Sequence, residues 1–583
     1  MVKPSSKGGK KKLLSFIDDN KSKKVTSSKS DHRIKNKSET NQLEKKDENN
    51  KRNEPHKIKE VKIITETNKN RDDIDLTSEE YEENNYSQDE NDLYELYEEY
   101  NNDNQYSKQS DTNNDKLFSN QVDYFLLSVK YNGKVNKAEM IFYDKVTEKL
   151  LFLDDPTNHR PYFIVRRSID EVTNFIRNLV ERYQEFKKII EIVPIKLQYR
   201  LKFSIEEMSK VIVTTPSDVP PIREIFHQNN IKTYESDIRY HLNWIFDTKI
   251  IPGLNYKIDN DVPTLSRSIN TEIPANEKES DVLKSINSKS TYKDLVNQFL
   301  PFFTEPIPTD DILLTSLDIE VRNPPKIFPK ANLAQYPINC IALQNNKGKG
   351  YVLILEDKEK KLEEDYKKNL PSDVIVEKFS RENDLLERIN ELINQVPVVF
   401  TFNGDDFDIQ YLANRLKIKK VPNNKFRYNG RSKTGLIENS VHIDLFKWFN
   451  NPAIKTYAYS GKYKKSSLGE IVSSLIDENK IDVEGEISDL PVDRLAFYCW
   501  NDAKITLDLI MDDNYLTWKL MILLCRICHI PIDELVSKRV SSWLMYFLYY
   551  EHRLRHYLIP NKSDITKEKG MNAQSEALSK DKK

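Results

Sequence analysis

Ile312-Leu-Leu-Thr-Ser-Leu-Asp318-Ile-Glu320-Val321 is an apolar run that closes on two carboxylates spaced i and i+2. In a β-strand that spacing sends both side chains to one face. Two like charges at the end of a buried strand are unfavourable unless a cation neutralises them. Further carboxylates extend the site. Asp408 follows the buried-strand pattern Val398-Val-Phe-Thr-Phe-Asn403 and stands at the start of a helix, and Asp444 closes another apolar strand in His442-Ile-Asp444. Tyr498 and Asp502 lie four apart in a helical stretch, so hydroxyl and carboxylate share a face. Hard divalent cations take oxygen ligands. Two such ions, Mg2+ or Mn2+, held about 4 Å apart would clamp the attacking and leaving oxygens of a phosphodiester. The Asp–Glu pair on one strand, a second Asp from another strand and a third Asp from a helix would build that clamp, with Tyr498 positioning the attacking water from the adjacent helical turn. A lone Asp-x-Glu is common, and an Asn-to-Asp turn is also an ordinary helix cap. The order of the acids and their placement at strand ends carry the reading.

The elements that must position these residues form an alternating strand and helix pattern over 311–512. Strands are expected at Ile312–Val321, Ile338–Gln344, Gly350–Leu355, Val398–Phe402 and Val441–Leu445, and helices at Glu382–Asn394, Ile409–Leu416, Leu468–Leu475 and Val492–Met511. This is a layered α/β sheet. Ahead of it, 119–310 reads as a β-rich α+β domain. Strand-like runs fall at Tyr124–Tyr131, Ala138–Tyr143, Lys149–Leu153 and Pro161–Val165, and the capping box Ser168-Ile-Asp-Glu171 opens a helix expected to reach Ile190. Residues 257–290 read as a polar excursion within that domain. Residues 513–565 are helical and aromatic, so their exposure predicts poor solubility without a partner. Residues 566–583 are a polar tail.

The 583 residues carry 90 Lys+Arg against 92 Asp+Glu, so global charge selects no partner. Its distribution is more telling. Residues 1–118 form a charged head expected to be disordered, basic up to Arg71, with thirteen acids and no base from Asp72 to Tyr100. Within it Leu13-Leu14-Ser15-Phe16-Ile17 is a short apolar motif of the kind that docks on a partner, such as a sliding clamp, although the usual leading Gln is missing. Four cysteines exclude a disulfide-stapled secreted chain, and Cys525-Arg-Ile-Cys528 sits in an apolar helix, so it reads as core. No signal peptide or membrane-length apolar run is present, which points to a cytoplasmic protein with no membrane partner.

The motifs resemble the 3′–5′ proofreading exonuclease domain of family-B DNA polymerases, in particular the archaeal replicative type. Leu317-Asp318-Ile-Glu320 is similar to its first motif, Thr401-Phe-Asn403-Gly-Asp-Asp-Phe407-Asp408 to its second and Tyr498-Cys-Trp-Asn-Asp502 to its third. The resemblance runs over about 119–565 and includes His159-Arg-Pro-Tyr-Phe163 and Tyr234-Glu-Ser-Asp-Ile238. It implies an RNase H-like exonuclease fold after the family's N-terminal domain. It also implies catalytic roles for Asp318, Glu320, Asp408, Tyr498 and Asp502, and DNA contacts at Asn403 and Phe407. The family's N-terminal domain can sense deaminated template bases, and Tyr162 lies near that region. Arg553 and Arg555 are expected to contact the DNA backbone near the junction to the palm.

The family's polymerase motifs S-L-Y-P-S and Y-G-D-T-D occur nowhere in the 583 residues. The expected function is therefore the N-terminal half of a replicative polymerase, removing nucleotides from single-stranded 3′ ends and primer-templates. A second chain carrying palm, fingers and thumb would be needed for synthesis. The competing reading is a non-catalytic DNA-binding or scaffold subunit, which would show salt-sensitive DNA binding without turnover. A nuclease acting on RNA is a third.

Overall fold

A computed structural model describes residues 123–266, 302–356, 370–481 and 490–561, with 299, 485, 487, 563 and 564. The charged head, the Leu13–Ile17 motif, most of the polar excursion and the tail lie outside the described residues. The chain opens with β1 (Tyr124–Asn132), β2 (Lys137–Asp144) and β3 (Lys149–Asp154), an antiparallel meander. Next come β4 (Tyr162–Val165), α1 (Ile169–Leu179), β5 (Ile189–Tyr199), β6 (Ser204–Val213), α2 (Val219–Gln228) and β7 (Thr233–Tyr234). They make a second sheet in the order β5-β6-β4-β7, antiparallel throughout, which is the split βαββαβ arrangement. Helix α3 (Tyr240–Thr248) then leads to β8 (Asn255–Asp259) and β9 (Val262–Leu265), which extend the first sheet to β3-β2-β1-β8-β9.

The capping box forms as read: Ser168 caps α1 and Glu171 returns a hydrogen bond to the Ser168 backbone. The helix stops eleven residues short of the expected Ile190, by the difference between 190 and 179. The β-branched run Ile189-Ile-Glu-Ile-Val193 instead pairs with β6, and an edge-to-edge ladder outweighs weak helix propensity there.

The third sheet has the order β13-β12-β11-β10-β14-β17. Its strands are β10 (Leu314–Val321), β11 (Ile338–Asn345), β12 (Gly350–Leu355), β13 (Val374–Phe379), β14 (Val398–Thr401) and, after the small hairpin β15 (Phe426–Asn429) and β16 (Thr434–Ile437), β17 (Val441–Asp444). Strands β10, β14 and β17 are parallel, with β11 antiparallel beside β10, which is the RNase H-like layout. Helices α4 (Glu382–Ile393) and α5 (Asp408–Ile418) cover one face, and α6 (Leu445–Phe449) and α7 (Leu468–Leu475) follow β17. Strand β13 and the β15–β16 hairpin were not anticipated.

Helix α8 (Val492–Cys528) covers the other face of the third sheet. It is broken at Asp512–Tyr515, where four residues leave helical geometry, so the expected end at Met511 marks a real break. Its second half, with α9 (Ile532–Ser537) and α10 (Val540–Leu554), folds back onto the N-terminal sheets. The Arg526 guanidinium, fully buried, donates to the carbonyls of Gly253, Phe302, Glu305 and Pro306 at 2.7 to 3.0 Å. Gly253 has φ +87°, and a Cβ there would meet Ile522 at 3.1 Å, so glycine permits this close approach. The aromatic exposure expected here is corrected by the fold: Trp518, Trp543, Tyr546 and Tyr550 are buried, and the outward stripe of α10 is Leu544, Met545 and Leu548. No described helix is long and apolar enough to cross a membrane.

Candidate active site

Alternation along β10 sorts its side chains. Leu317, Ile319 and Val321 enter the core beneath α4 and α5, which leaves Ser316, Asp318 and Glu320 on the face toward α8. Helix α8 buries Val492, Leu495, Ala496, Cys499, Trp500 and Ala503 against Cys340, Ala342, Val352 and Ile354. That i, i+3, i+4, i+7 stripe fixes the helix rotation, at about 1.5–3 kcal/mol for each large side chain buried. Three polar contacts fix its height. Ser316 Oγ donates to the Ala503 carbonyl at 2.6 Å, Trp500 Nε1 to Gln344 Oε1 at 2.8 Å, and Cys499 Sγ to the Asp318 carbonyl at 3.6 Å. With rotation and height set, Tyr498 and Asp502 can only face the end of β10.

One carboxylate oxygen each from Asp318, Glu320 and Asp502 lies within 4.8 Å of the others. Asp408, the first residue of α5, accepts a hydrogen bond from the Ile319 amide at 3.2 Å, between the two acids of the strand. Tyr498 stands one helical turn before Asp502, close enough that burial and then the Asp502 charge raise its hydroxyl above the ordinary tyrosine value. Asp318 Oδ2 and Asp502 Oδ1 are buried and make no hydrogen bond. Such orphaned acceptors are costly unless something cationic sits against them. An all-oxygen donor set of this kind fits Mg2+ or Mn2+.

The electrostatics agree. Burial, followed by the charges of Asp502, Asp408 and Glu320, pushes the Asp318 carboxyl well above the usual carboxylate range. Burial pushes Asp408 up to about 7, and raises Asp502 despite the nearby Lys480. Lys480 was not anticipated. Its Nζ lies 3.1 Å from Asp502 Oδ2 and 5.5 Å from the centre of the Tyr498 ring. Burial would lower its pKa, but Asp502 outweighs that and holds it above the ordinary lysine value. Lys480 sits in the polar stretch Asp477-Glu-Asn-Lys480, with no periodicity to single it out.

The second-motif turn is held from β17. Asn403 has φ +66°, and its amide donates to Asp444 Oδ1 at 2.8 Å. Phe407 caps α5 and packs on Tyr411, with ring centres 5.5 Å apart. The expected DNA contact at Arg553 is corrected. Its side chain, 11% exposed, pairs with Glu235 and Asp247 and hydrogen-bonds Tyr162 and Asn243, so internal acids consume its charge. Arg555 is 46% exposed and ion-paired to Glu551. Beside Tyr162 a small pocket is lined by Pro161, Val219, Pro220, Ser236 and Asn243.

Residues 231–461 match the family model described as DNA polymerase family B, exonuclease domain. Asp318, Glu320 and Asp408 fall inside that span, and Tyr498 and Asp502 follow it. DNA polymerase 1 of Sulfolobus acidocaldarius is 34% identical over 448 residues, covering 76% of this chain and 48% of that protein. DNA polymerase 1 of Aeropyrum pernix is 28% identical over 462 residues, covering 79% and 47%. The chain thus spans about half the length of the curated relatives it matches. The solved family B DNA polymerase from the hyperthermophilic archaeon Pyrobaculum calidifontis superposes with a TM-score of 0.53 at 16% identity, over 75% of this chain and 51% of that one, a likeness of fold. Taken with the RNase H-like sheet and its acids, the family-model match means that residues 231–461 are the exonuclease-domain region of a family-B DNA polymerase, in a chain similar to archaeal DNA polymerase 1 over about three quarters of its length.

Proposed function

We propose that this chain is the proofreading part of a replicative DNA polymerase, removing nucleotides one at a time from DNA 3′ ends as 5′-monophosphates. The observation that carries the reading is the cluster of Asp318, Glu320 and Asp502 oxygens within 4.8 Å, two of its buried oxygens orphaned. Asp318, Glu320, Asp408 and Asp502 would hold two Mg2+ or Mn2+ ions. Bound there, the ions would supply the Lewis acidity that activates water and offsets charge on the phosphate. The protein's own groups do the positioning. Tyr498, one turn before Asp502 on α8, would orient the attacking water, and Lys480 adds a cation beside the same pair. Asn403 and Phe407, on the turn before α5, would contact the terminal nucleotides. The motifs S-L-Y-P-S and Y-G-D-T-D do not occur in these 583 residues, so DNA synthesis would draw on a palm outside them.

Incubating the protein with a 5′-labelled single-stranded DNA oligonucleotide and Mg2+ or Mn2+ tests this. A ladder of shortened products is expected, with Asp318→Ala at least about 10³-fold slower, since the charge it supplies acts in a water-excluded site. No degradation, or degradation indifferent to Asp318→Ala, would sink the reading. DNA binding without turnover would favour the scaffold reading, and preference for an RNA oligonucleotide the ribonuclease one.

A further inference from the structure

Asp444 is an acid that the catalytic assignment leaves unused. It ends β17, is 4% exposed, and holds no place in the metal cluster. Its two oxygens instead grip the turn that launches α5. Oδ1 accepts from the Asn403 amide at 2.8 Å and from the Phe446 amide at 3.0 Å, and Oδ2 accepts from the Asp405 amide at 3.2 Å. The turn is also braced from its far side. Asp405, 3% exposed, accepts from the Gly435 amide at 2.5 Å and pairs with Lys447 at 2.5 Å. Gly435 approaches so closely that a Cβ there would lie 2.6 Å from Ile409, the residue after Asp408. Likewise a Cβ on Gly404 would lie 2.2 Å from Thr401 Oγ1. Asp444 thus grips the turn 402–407 from β17, Asp405 within the turn anchors it to Gly435 and Lys447, and the turn's last residue precedes Asp408.

Two buried acids side by side are unfavourable for stability alone. What they achieve is geometric. With Asn403 in the left-handed region, the turn has no intrinsic preference for this path, and the Asp444 carboxylate supplies the acceptors that select it. The start of α5, and with it the Asp408 carboxylate against the Ile319 amide, is then fixed relative to Asp318 and Glu320.

We propose that Asp444, supported by Asp405 and Lys447, is a positioning residue that sets Asp408 in the metal site, an inference that rests on the exonuclease reading above. It touches neither substrate nor ion. Outer partners of this kind tune metal affinity by about 10- to 100-fold. In Asp444→Asn only one oxygen remains, so one of the two turn amides faces an NH2 group and the turn loosens.

The test is a Mn2+ titration of the metal-free protein followed by electron paramagnetic resonance of free Mn2+, alongside nuclease kinetics and thermal unfolding. Asp444→Asn is expected to weaken Mn2+ binding about tenfold. It should also lower kcat while leaving KM for the oligonucleotide unchanged. A merely structural role would lower the melting temperature and leave Mn2+ affinity at the wild-type value, and that result overturns the proposal. If Asp444→Asn does not fold, Lys447→Met decides, because that side chain is one-quarter exposed and Met keeps its aliphatic stem. A shift of about threefold in the same direction is expected of it, and none would overturn the proposal. The two readings fail separately. Wild-type protein that degrades no DNA yet shows the Mn2+ shift in Asp444→Asn loses the nuclease reading and keeps the positioning one. An active wild type matched by Asp444→Asn in Mn2+ affinity does the reverse.

Discussion

Lys480 brings its ammonium to 3.1 Å from Asp502 and close to Tyr498, so it shares the pair that would hold the attacking water. Charge placed beforehand in a desolvated site acts strongly on a developing negative charge. Lys480→Met should therefore lower kcat by roughly 10²-fold with little change in KM, and Lys480→Arg should restore part of the loss. Steady-state and single-turnover rates on the same oligonucleotide separate the two parameters. The acids themselves predict a pH effect in the metal-free protein. The Asp408 carboxyl is held up to about 7 by burial, against an unfolded value of about 3.9. Between those values the folded state binds the extra proton, so its stability falls as pH rises from about 4 to about 7, and the cost is complete above that. Asp408→Asn does not titrate. Its melting temperature in the presence of chelator should exceed the wild type's by a margin that grows over that window and then stays level. A margin that shrinks with rising pH would contradict the assigned direction.

At the level of elements, α8 and β10 make the site and α10 holds the frame behind it. The Arg553 side chain on α10 answers two acids of the N-terminal domain, Glu235 and Asp247. Burial raises the Glu235 carboxyl and opposes ionisation of Asp247, which Arg553 and His159 nonetheless draw down below the usual carboxylate range. Removing the cation strands Glu235 and leaves Asp247 with only His159 and Tyr162. Arg553→Met should cost about 3–5 kcal/mol in denaturant unfolding. The protein that remains folded should bind DNA as the wild type does, which a backbone-contacting arginine would not allow.

In the whole molecule, the three segments expected as separate domains share one apolar cluster. It joins Phe125 and Phe142 of the N-terminal sheet, Leu314, Phe400 and Ile443 of the exonuclease sheet, and Trp518 and Trp543 of the C-terminal helices. The last segment returns to the second sheet, where the Leu558 amide donates to the Gln198 carbonyl at 3.1 Å. With neither S-L-Y-P-S nor Y-G-D-T-D among its residues, the purified 583-residue polypeptide is expected to shorten a primer but not to extend it when given all four deoxynucleoside triphosphates. Primer extension by this polypeptide would refute that expectation.

The sequence by itself determined what depends on local period. Spacing of two on a strand put Asp318 and Glu320 together, spacing of four on a helix aligned Tyr498 with Asp502, and the Ser168 capping box marked the start of α1. The strands of the exonuclease sheet other than β13 were legible for the same reason, being apolar runs ended by acids or turns. Tertiary structure alone decided the rest. Lys480 reaches the acids, Asp444 grips a turn 41 residues away, and Arg553 turns inward toward residues more than 300 positions distant. No local pattern encodes such partners. A charged side chain looks the same in sequence whether it meets water, a substrate or a buried acid, and only the burial of the surrounding apolar faces selects among them.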